Sequence, residues 1–283
     1  MRNAAPPKAV GPPSKPADLT TPRLASKFSL GGDTWQAGLV RNALSVALLI
    51  LVWEVAARYL VENRLILVPF VEVAQALWTE ATNGVLWTNS YTTLLEIGVS
   101  FPFAVAVGVL TGVALSSNRL LAQISEPLLT AFYSVPMVAL APLFIAWLGL
   151  GFASKFAIIL LVAVFPVIIT TEVGLRSTDK AFLEAARSFN ATRLQIFTTV
   201  QFPFALPYII SGVRVAFARA LVGAVVAEFF GAFAGYGYAI LAASQSFATA
   251  RLLGYVVLLA ILGMVGSMAL RTLERRMAPW REE

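Results

Sequence analysis

Residues 97–118, 127–154, 194–213 and 252–270 contain no charged side chain. About twenty helical residues span the ~30 Å apolar layer of a membrane. Each stretch reaches or nearly reaches that length. In that layer every backbone N–H and C=O must be satisfied from within the chain, so such runs read as helices. The rest of the composition agrees. Charged residues make up 13% of the chain, against roughly a quarter in water-soluble domains, and the mean hydropathy is +0.78. The expectation is an all-α membrane protein.

Six spans are expected, at about 42–61, 92–116, within 127–154, 155–174, 207–230 and 252–271. The fifth carries Arg214, Arg219 and Glu228 and competes with the uncharged stretch 194–213. Pro203 and Pro207 argue against one helix running through that stretch, so the span is started at Pro207. Glu54 and Arg58 stand four apart at the exit of the first span, where they can pair. Between the first two spans, Val71, Ala74, Leu77 and Trp78 recur at helical spacing after Pro69. This piece is expected to lie at the membrane interface. Gly108 and Gly112 form a close-packing face in the second span. Pro102, Pro136, Pro142 and Pro166 mark kinks, a common feature of helices that line transport paths.

Basic residues set the orientation. Arg2, Lys8, Lys15, Arg23, Lys27 and Arg41 precede the first span. Arg119 follows the second, Arg176, Lys180, Arg187 and Arg193 follow the fourth, and Arg271, Arg275, Arg276 and Arg281 follow the sixth. All of these fall on one side if the spans number six, and only Arg58, Arg64, Lys155 and Arg251 fall on the other. The positive-inside bias then places both termini in the cytoplasm. Residues 1–38, rich in Pro and Ala, are expected to be a disordered tail, and no cleavage pattern marks a secretory signal.

The chain has no Cys and no His. This excludes thiol nucleophiles, Ser-His-Asp triads and Cys/His metal sites, and no metal site is assigned. The G-x-x-x-x-G-K-[ST] phosphate cradle is also absent.

The segment 178–207 is the most informative. Phe182, Ala185, Ala186 and Phe189 share one helical face, with Glu184, Arg187 and Ser188 on others. Thr178 or Asp179 is the expected N-cap. Asn190 stands where a left-handed residue would end the helix. Thr192 and Gln195 then have capping-box spacing for a second short helix. The small Ala185 and Ala186 leave room for a partner to approach.

Glu184-Ala185-Ala186, a turn residue at Asn190 and the later Val200-Gln-Phe-Pro203 resemble the E-A-A-x-x-x-G … I-x-L-P loop of bacterial ABC importer permeases. Asn190 replaces the family's Gly. The resemblance covers about residues 40–280. Pro136 to Pro142, Trp147 to Gly151, Gly212-Val-Arg214, Ala227-Glu228-Phe229, Gly235-Tyr-Gly237 and Leu273 to Arg276 with Trp280 resemble the branch serving nitrate, sulfonate, taurine and related substrates.

The resemblance implies a type I importer transmembrane domain. Residues 39–85 would be the first span and interfacial helix, 86–272 the core with coupling loop 178–203, and 273–283 a cytoplasmic tail. Glu184, Ala185, Ala186, Arg187, Asn190 and Pro203 would couple to a separate ATPase that binds ATP and magnesium. A binding protein would deliver a small anion from outside, and a second permease copy would complete a dimer in the inner membrane. Riboflavin, a pyrimidine precursor or an aromatic acid are the alternative cargoes.

Charges inside a span usually face protein or a water path, which makes Arg214, Arg219 and Glu228 candidates for the translocation path. Arg214 is near enough to the span's start to snorkel. Arg219 and Glu228 are out of phase and should not pair. A secondary carrier would show internal repeats, and none is evident. An intramembrane enzyme would need paired carboxylates, whereas Glu228, Glu54, Glu96 and Glu172 look scattered.

Overall fold

The computed structural model describes residues 35–277, and every regular element among them is helical. Of the expected disordered tail 1–38, residues 1–34 lie outside the described residues, and 35–38 are already helical. They open helix α1 (Trp35–Val55). The described residues up to Leu49 form a unit of their own. In it Leu44, Val46, Leu48 and Leu49 are exposed, as apolar side chains can be where lipid is the solvent.

The second unit starts at Ile50. A π turn, Ala56–Leu60, continues α1. The expected Glu54–Arg58 pair forms, with Arg58 Nε donating to Glu54 Oε1 at 2.7 Å. The other oxygen of Glu54 accepts from Phe70 N at 2.7 Å and so satisfies the start of α2 (Phe70–Thr82). Trp53 Nε1 donates to Val68 O at 3.0 Å and fixes the same corner. Helix α2 buries Val73 and exposes Val71 and Trp78. Of the apolar stripe read from the sequence, Val71, Ala74 and Trp78 are exposed and Leu77 is half-buried.

Three long helices form the core: α3 (Val85–Ser117), α6 (Phe152–Arg176) and α9 (Phe202–Gly231). Small residues set their approach. A Cβ on Gly108 would lie 2.6 Å from Val167 Cβ, and one on Gly112 would lie 2.6 Å from Thr171 Cβ. The expected glycine face is thus the α3–α6 seam. In the same seam Lys155 meets Glu96, and Arg176 donates to Leu115 O. Residue numbers rise together along both helices, so α3 and α6 run parallel. Helix α9 runs antiparallel to α6, with Gly223 beside Ile159, Gly212 beside Thr170, and Gly174 facing Tyr208.

Two parallel helices need the intervening chain to return from the end of one to the start of the other. Here the expected third span differs from a single helix. It is made of α4 (Arg119–Ser134), a 3-10 turn (Met137–Leu140) and α5 (Ala141–Leu148). Pro136 precedes the turn and Pro142 sits in the first turn of α5. Each lacks an N–H, and each biases the residue before it away from helix. Among the described residues, five helices are long and apolar enough to cross a membrane: Ala43–Leu60, Val85–Ser117, Phe152–Arg176, Arg193–Gly231 and Thr249–Arg276.

The fifth expected span also changes. Helicity runs unbroken from Arg193 to Gly231, so the helix does not start at Pro207. Pro203 falls in the first turn of α9, where a missing N–H is tolerated. Just before it, a π turn (Phe197–Gln201) makes the longer bond from Phe202 N to Phe197 O, which absorbs the misfit. Pro207 removes one further bond inside α9 without ending it.

After α9 come α10 (Tyr236–Gln245) and α11 (Thr249–Met277). Gly266 of α11 lies against Phe217 of α9, and Gly254 against Leu77 of α2. The expected C-terminal tail from 273 is helical as far as Met277, and its remainder lies outside the described residues.

Candidate functional site

Three regions hold the polar groups this bundle can use. The first is the connection between α6 and α9. Helix α7 (Lys180–Ser188) is capped by Asp179, whose Oδ1 accepts from Ala181 N at 2.9 Å. Thr178, the other cap candidate, is buried and donates to Leu175 O at 3.0 Å instead. Asn190 has φ 53°, the left-handed conformation that Gly and Asn reach most easily. The N–H of Ala191 bonds back to Ala186 O at 3.2 Å, and that of Asn190 to Arg187 O at 2.9 Å, which ends α7. Thr192 and Gln195 form the full capping box on α8 (Arg193–Ile196).

Every helix end in this connection is thus satisfied locally, and its apolar face is left over. Phe182, Ala185, Ala186 and Phe189 form an open groove with Val200 and Pro203. Phe189 is 87% exposed. Glu184 and Arg187 are exposed as well.

The second region lies at the opposite end of the bundle, where α6 begins and α9 ends. Here α3 reaches across to the turn between α9 and α10. Thr93 Oγ1 donates to Glu228 Oε1 at 2.6 Å and accepts from Tyr236 N at 2.8 Å. Asn89 Oδ1 accepts from Gly235 N at 3.0 Å, and its amide donates to Tyr255 OH at 2.7 Å. Tyr255 OH in turn donates to Glu80 Oε2 at 2.7 Å. Glu228 Oε2 accepts from Gly237 N at 2.5 Å. A Cβ on Gly237 would sit 2.4 Å from Val225 O, so only glycine allows the turn to close on Glu228.

Beside this clasp, Lys155 Nζ donates to Glu96 Oε1 at 2.5 Å. Lys155 is 7% exposed, Glu96 2% and Glu228 fully buried. Both Glu96 and Lys155 lie close enough to act on the charge of Glu228. Sequence reasoning put Lys155 at the outer end of the fourth span and Glu96 at a span edge, with the carboxylates scattered. The structure brings Glu96, Lys155 and Glu228 together. The available signal was a charge near the outer end of each of three spans. What joins them is the parallel seam of α3 and α6, which no linear pattern reveals.

The third region is the middle of α9. Arg214 pairs with Glu274 of α11, so its charge is held by a structural partner. Arg219 is exposed, and its guanidinium lies 5.7 Å from the centre of the Tyr133 ring at the end of α4. Among the described residues no carboxylate pairs with it. Arg219 and Glu228 do not meet, as their spacing on one helix requires.

Comparison with known proteins agrees with this architecture. Residues 104–279, from mid-α3 beyond the end of α11, match the family described as binding-protein-dependent transport system inner membrane component. The chain is 30% identical over 236 residues to the formylaminopyrimidine transport permease protein ThiX of Halalkalibacterium halodurans, covering 83% of this chain and 94% of that one. It is also 30% identical over 244 residues to the taurine transport system permease protein TauC of Escherichia coli, covering 84% and 89%. Among solved structures, an inward-facing MetNI methionine ABC transporter superposes with a TM-score of 0.61 at 22% identity, over 68% of this chain and 96% of that one. The fold is that of an ABC importer permease. We conclude that this multi-pass chain belongs to the binding-protein-dependent transport system inner membrane component family.

Proposed function

We propose that the chain is the membrane subunit of an ATP-driven importer, and that the α7–α8 connection is its coupling element. The observation that carries this reading is the uncovered groove of Phe182, Ala185, Ala186 and Phe189 on a helix whose ends are all satisfied locally. An apolar face on an otherwise solvated element suits a helix-in-groove contact. The occupant would be an ATPase subunit that binds ATP and magnesium and pushes on α7. Glu184 and Arg187 would fix the docking register by charge, and Asn190 and Pro203 would pass the motion to α9. Because α8 lies on the continuous Arg193–Gly231 run, it would move with the core helix.

In this reading both termini are cytoplasmic and the α4–α5 pieces make the third of six crossings. Residues 39–85 supply the first crossing and an interfacial helix, 86–272 the transport core, and the ends 1–38 and 273–283 the tails. A second copy of the chain completes the path, and lipid covers the outward apolar faces. An external binding protein delivers a small solute, of the nitrate, sulfonate or taurine class. The core then alternates between outward- and inward-open states.

Purification of the full chain from its own membrane tests the reading. A P-loop ATPase should come with it, and Glu184→Arg should leave the chain inserted while uptake stops. A chain that purifies without an ATPase, or a Glu184→Arg variant with normal uptake, overturns it.

A further inference from the structure

Among the described residues, Arg219 is the one charge of α9 without a charged partner or a hydrogen bond from another helix. Arg214 has Glu274. Glu228 is held by Thr93 and Gly237 and is close to Lys155. Among the described residues, Arg219 has the face of Tyr133 as its partner. Its depth makes this costly. At 1.5 Å per residue it stands ~26 Å from the start of α9 and ~18 Å from its end. Neighbouring Phe217 packs on Gly266, in the middle of α11. An arginine facing lipid at mid-membrane costs at least ~3 kcal/mol. Such a side chain belongs against water or against an opposite charge.

A second observation, independent of charge, marks the same place. The helix is broken between α4 and α5, and the 3-10 turn there packs on α6 and α9. Val135, at the break, is 40% exposed. Non-helical backbone at membrane depth is tolerated only where protein buries it or where it lines a water-filled cavity. Tyr133 is two residues from the break. The bare guanidinium, the phenol and the unwound backbone therefore share one wall.

Resting on the permease reading above, we propose that Arg219 is the charge-selecting residue of the translocation path: it draws the anionic group of a passing solute to the gap between α4 and α5. The cation–π contact with Tyr133 holds the guanidinium in place without consuming its hydrogen-bond donors. Those donors can then grip a carboxylate, sulfonate or other oxyanion in two-pronged fashion. Cations are repelled at the same point.

The chain has no Cys, so one introduced thiol reports alone. Val222 is three residues from Arg219 on the exposed side of α9. The full transporter bearing Val222→Cys is treated in membranes with an anionic sulfonatoethyl or a cationic trimethylammonioethyl methanethiosulfonate. Labelling is read on the permease band. Both reagents should react, and the anionic one should be favoured. Arg219→Gln should lower the anionic-to-cationic rate ratio at least about tenfold, and Arg219→Lys should restore it. With Arg219 intact, raising the salt concentration should lower the ratio as well, a measurement that needs no change at 219. Leu110→Cys, 70% exposed on α3, should stay unlabelled because it faces lipid.

An unreactive Val222→Cys, as expected if a second copy seals this wall, overturns the proposal. So does a rate ratio indifferent to Arg219 and to salt, or a Leu110→Cys that reacts equally fast. Each preparation is also assayed for ATP hydrolysis. Active ATPase with an indifferent ratio removes only the role of Arg219. A charge-dependent ratio without any associated ATPase removes the importer reading instead.

Discussion

The two ends of the bundle solve the same problem in opposite ways. At the end where α9 turns into α10, polar groups from α2, α3, α6, α9, α10 and α11 bond one another across long sequence distances, with Asn89 and Tyr255 bonded 166 residues apart, although Glu96 Oε2 is left without a hydrogen-bond partner. At the other end, α7 and α8 satisfy every helix terminus with a residue no more than five positions away. The first is a weld, where losing one partner leaves another stranded in a medium of low dielectric constant. The second caps its helices from its own residues and keeps an apolar face open, like a lever in the coupling role proposed above. In that role one end would hold the helices together and the other would receive a push, and that division calls for such an asymmetry.

The comparison can be broken most directly at Lys155. Lys155→Met leaves Glu96 and Glu228 buried without their cation. Removing one member of a buried ion pair typically costs ~3–5 kcal/mol, so the thermal midpoint of the purified transporter should fall sharply. Adding Glu96→Gln should return most of the loss. If the single replacement is silent, the weld is not holding this end.

Gly237→Ala comes next. Its new methyl group would press on Val225 O and Glu228. Overpacking of this kind costs about 1–3 kcal/mol, visible in the same thermal measurement.

At the lever, Asn190→Val should cost about 1–2 kcal/mol of local stability, because a β-branched residue resists the left-handed conformation. Faster hydrogen exchange in α7 would reveal it, with the core unchanged and uptake reduced. Asn190→Gly should preserve both exchange and uptake. The smallest effect on stability, within about 0.5 kcal/mol, is expected from the exposed Glu184→Arg, yet uptake should be lost. A large thermal shift there would mean that the lever is part of the folded core after all.

The lever was legible in the linear chain because its determinants are local. Asp179, Asn190 and the Thr192–Gln195 box each act within a few residues, and one turn of helix brings them into range. The caps, the left-handed turn and the apolar face all follow from spacing alone. The weld was illegible for the converse reason. Glu96, Lys155 and Glu228 lie in three different helices and meet only because Gly108 and Gly112 let α3 and α6 close in parallel. The proline reading failed at one point for a related reason. Pro203 and Pro207 argue for a break when taken singly, but the π turn at Phe197–Gln201 gives the helix a way through. Pro136 and Pro142 had no such relief, and there the helix did break.

What the sequence determined by itself was the solvent and the secondary structure. Uncharged runs long enough to cross a membrane leave helices as the available conformation, and the capping residues of the α7–α8 connection specify their own turn. Which charges are paired and which stand bare was decided only in three dimensions. Arg214, Arg219 and Glu228 look alike along the chain. Packing assigns the first to Glu274 and buries the third beneath Thr93 and Gly237, while Arg219 is left exposed over the ring of Tyr133. A charge in an apolar layer takes its meaning from its neighbours within a few ångströms, and helix packing chooses those neighbours.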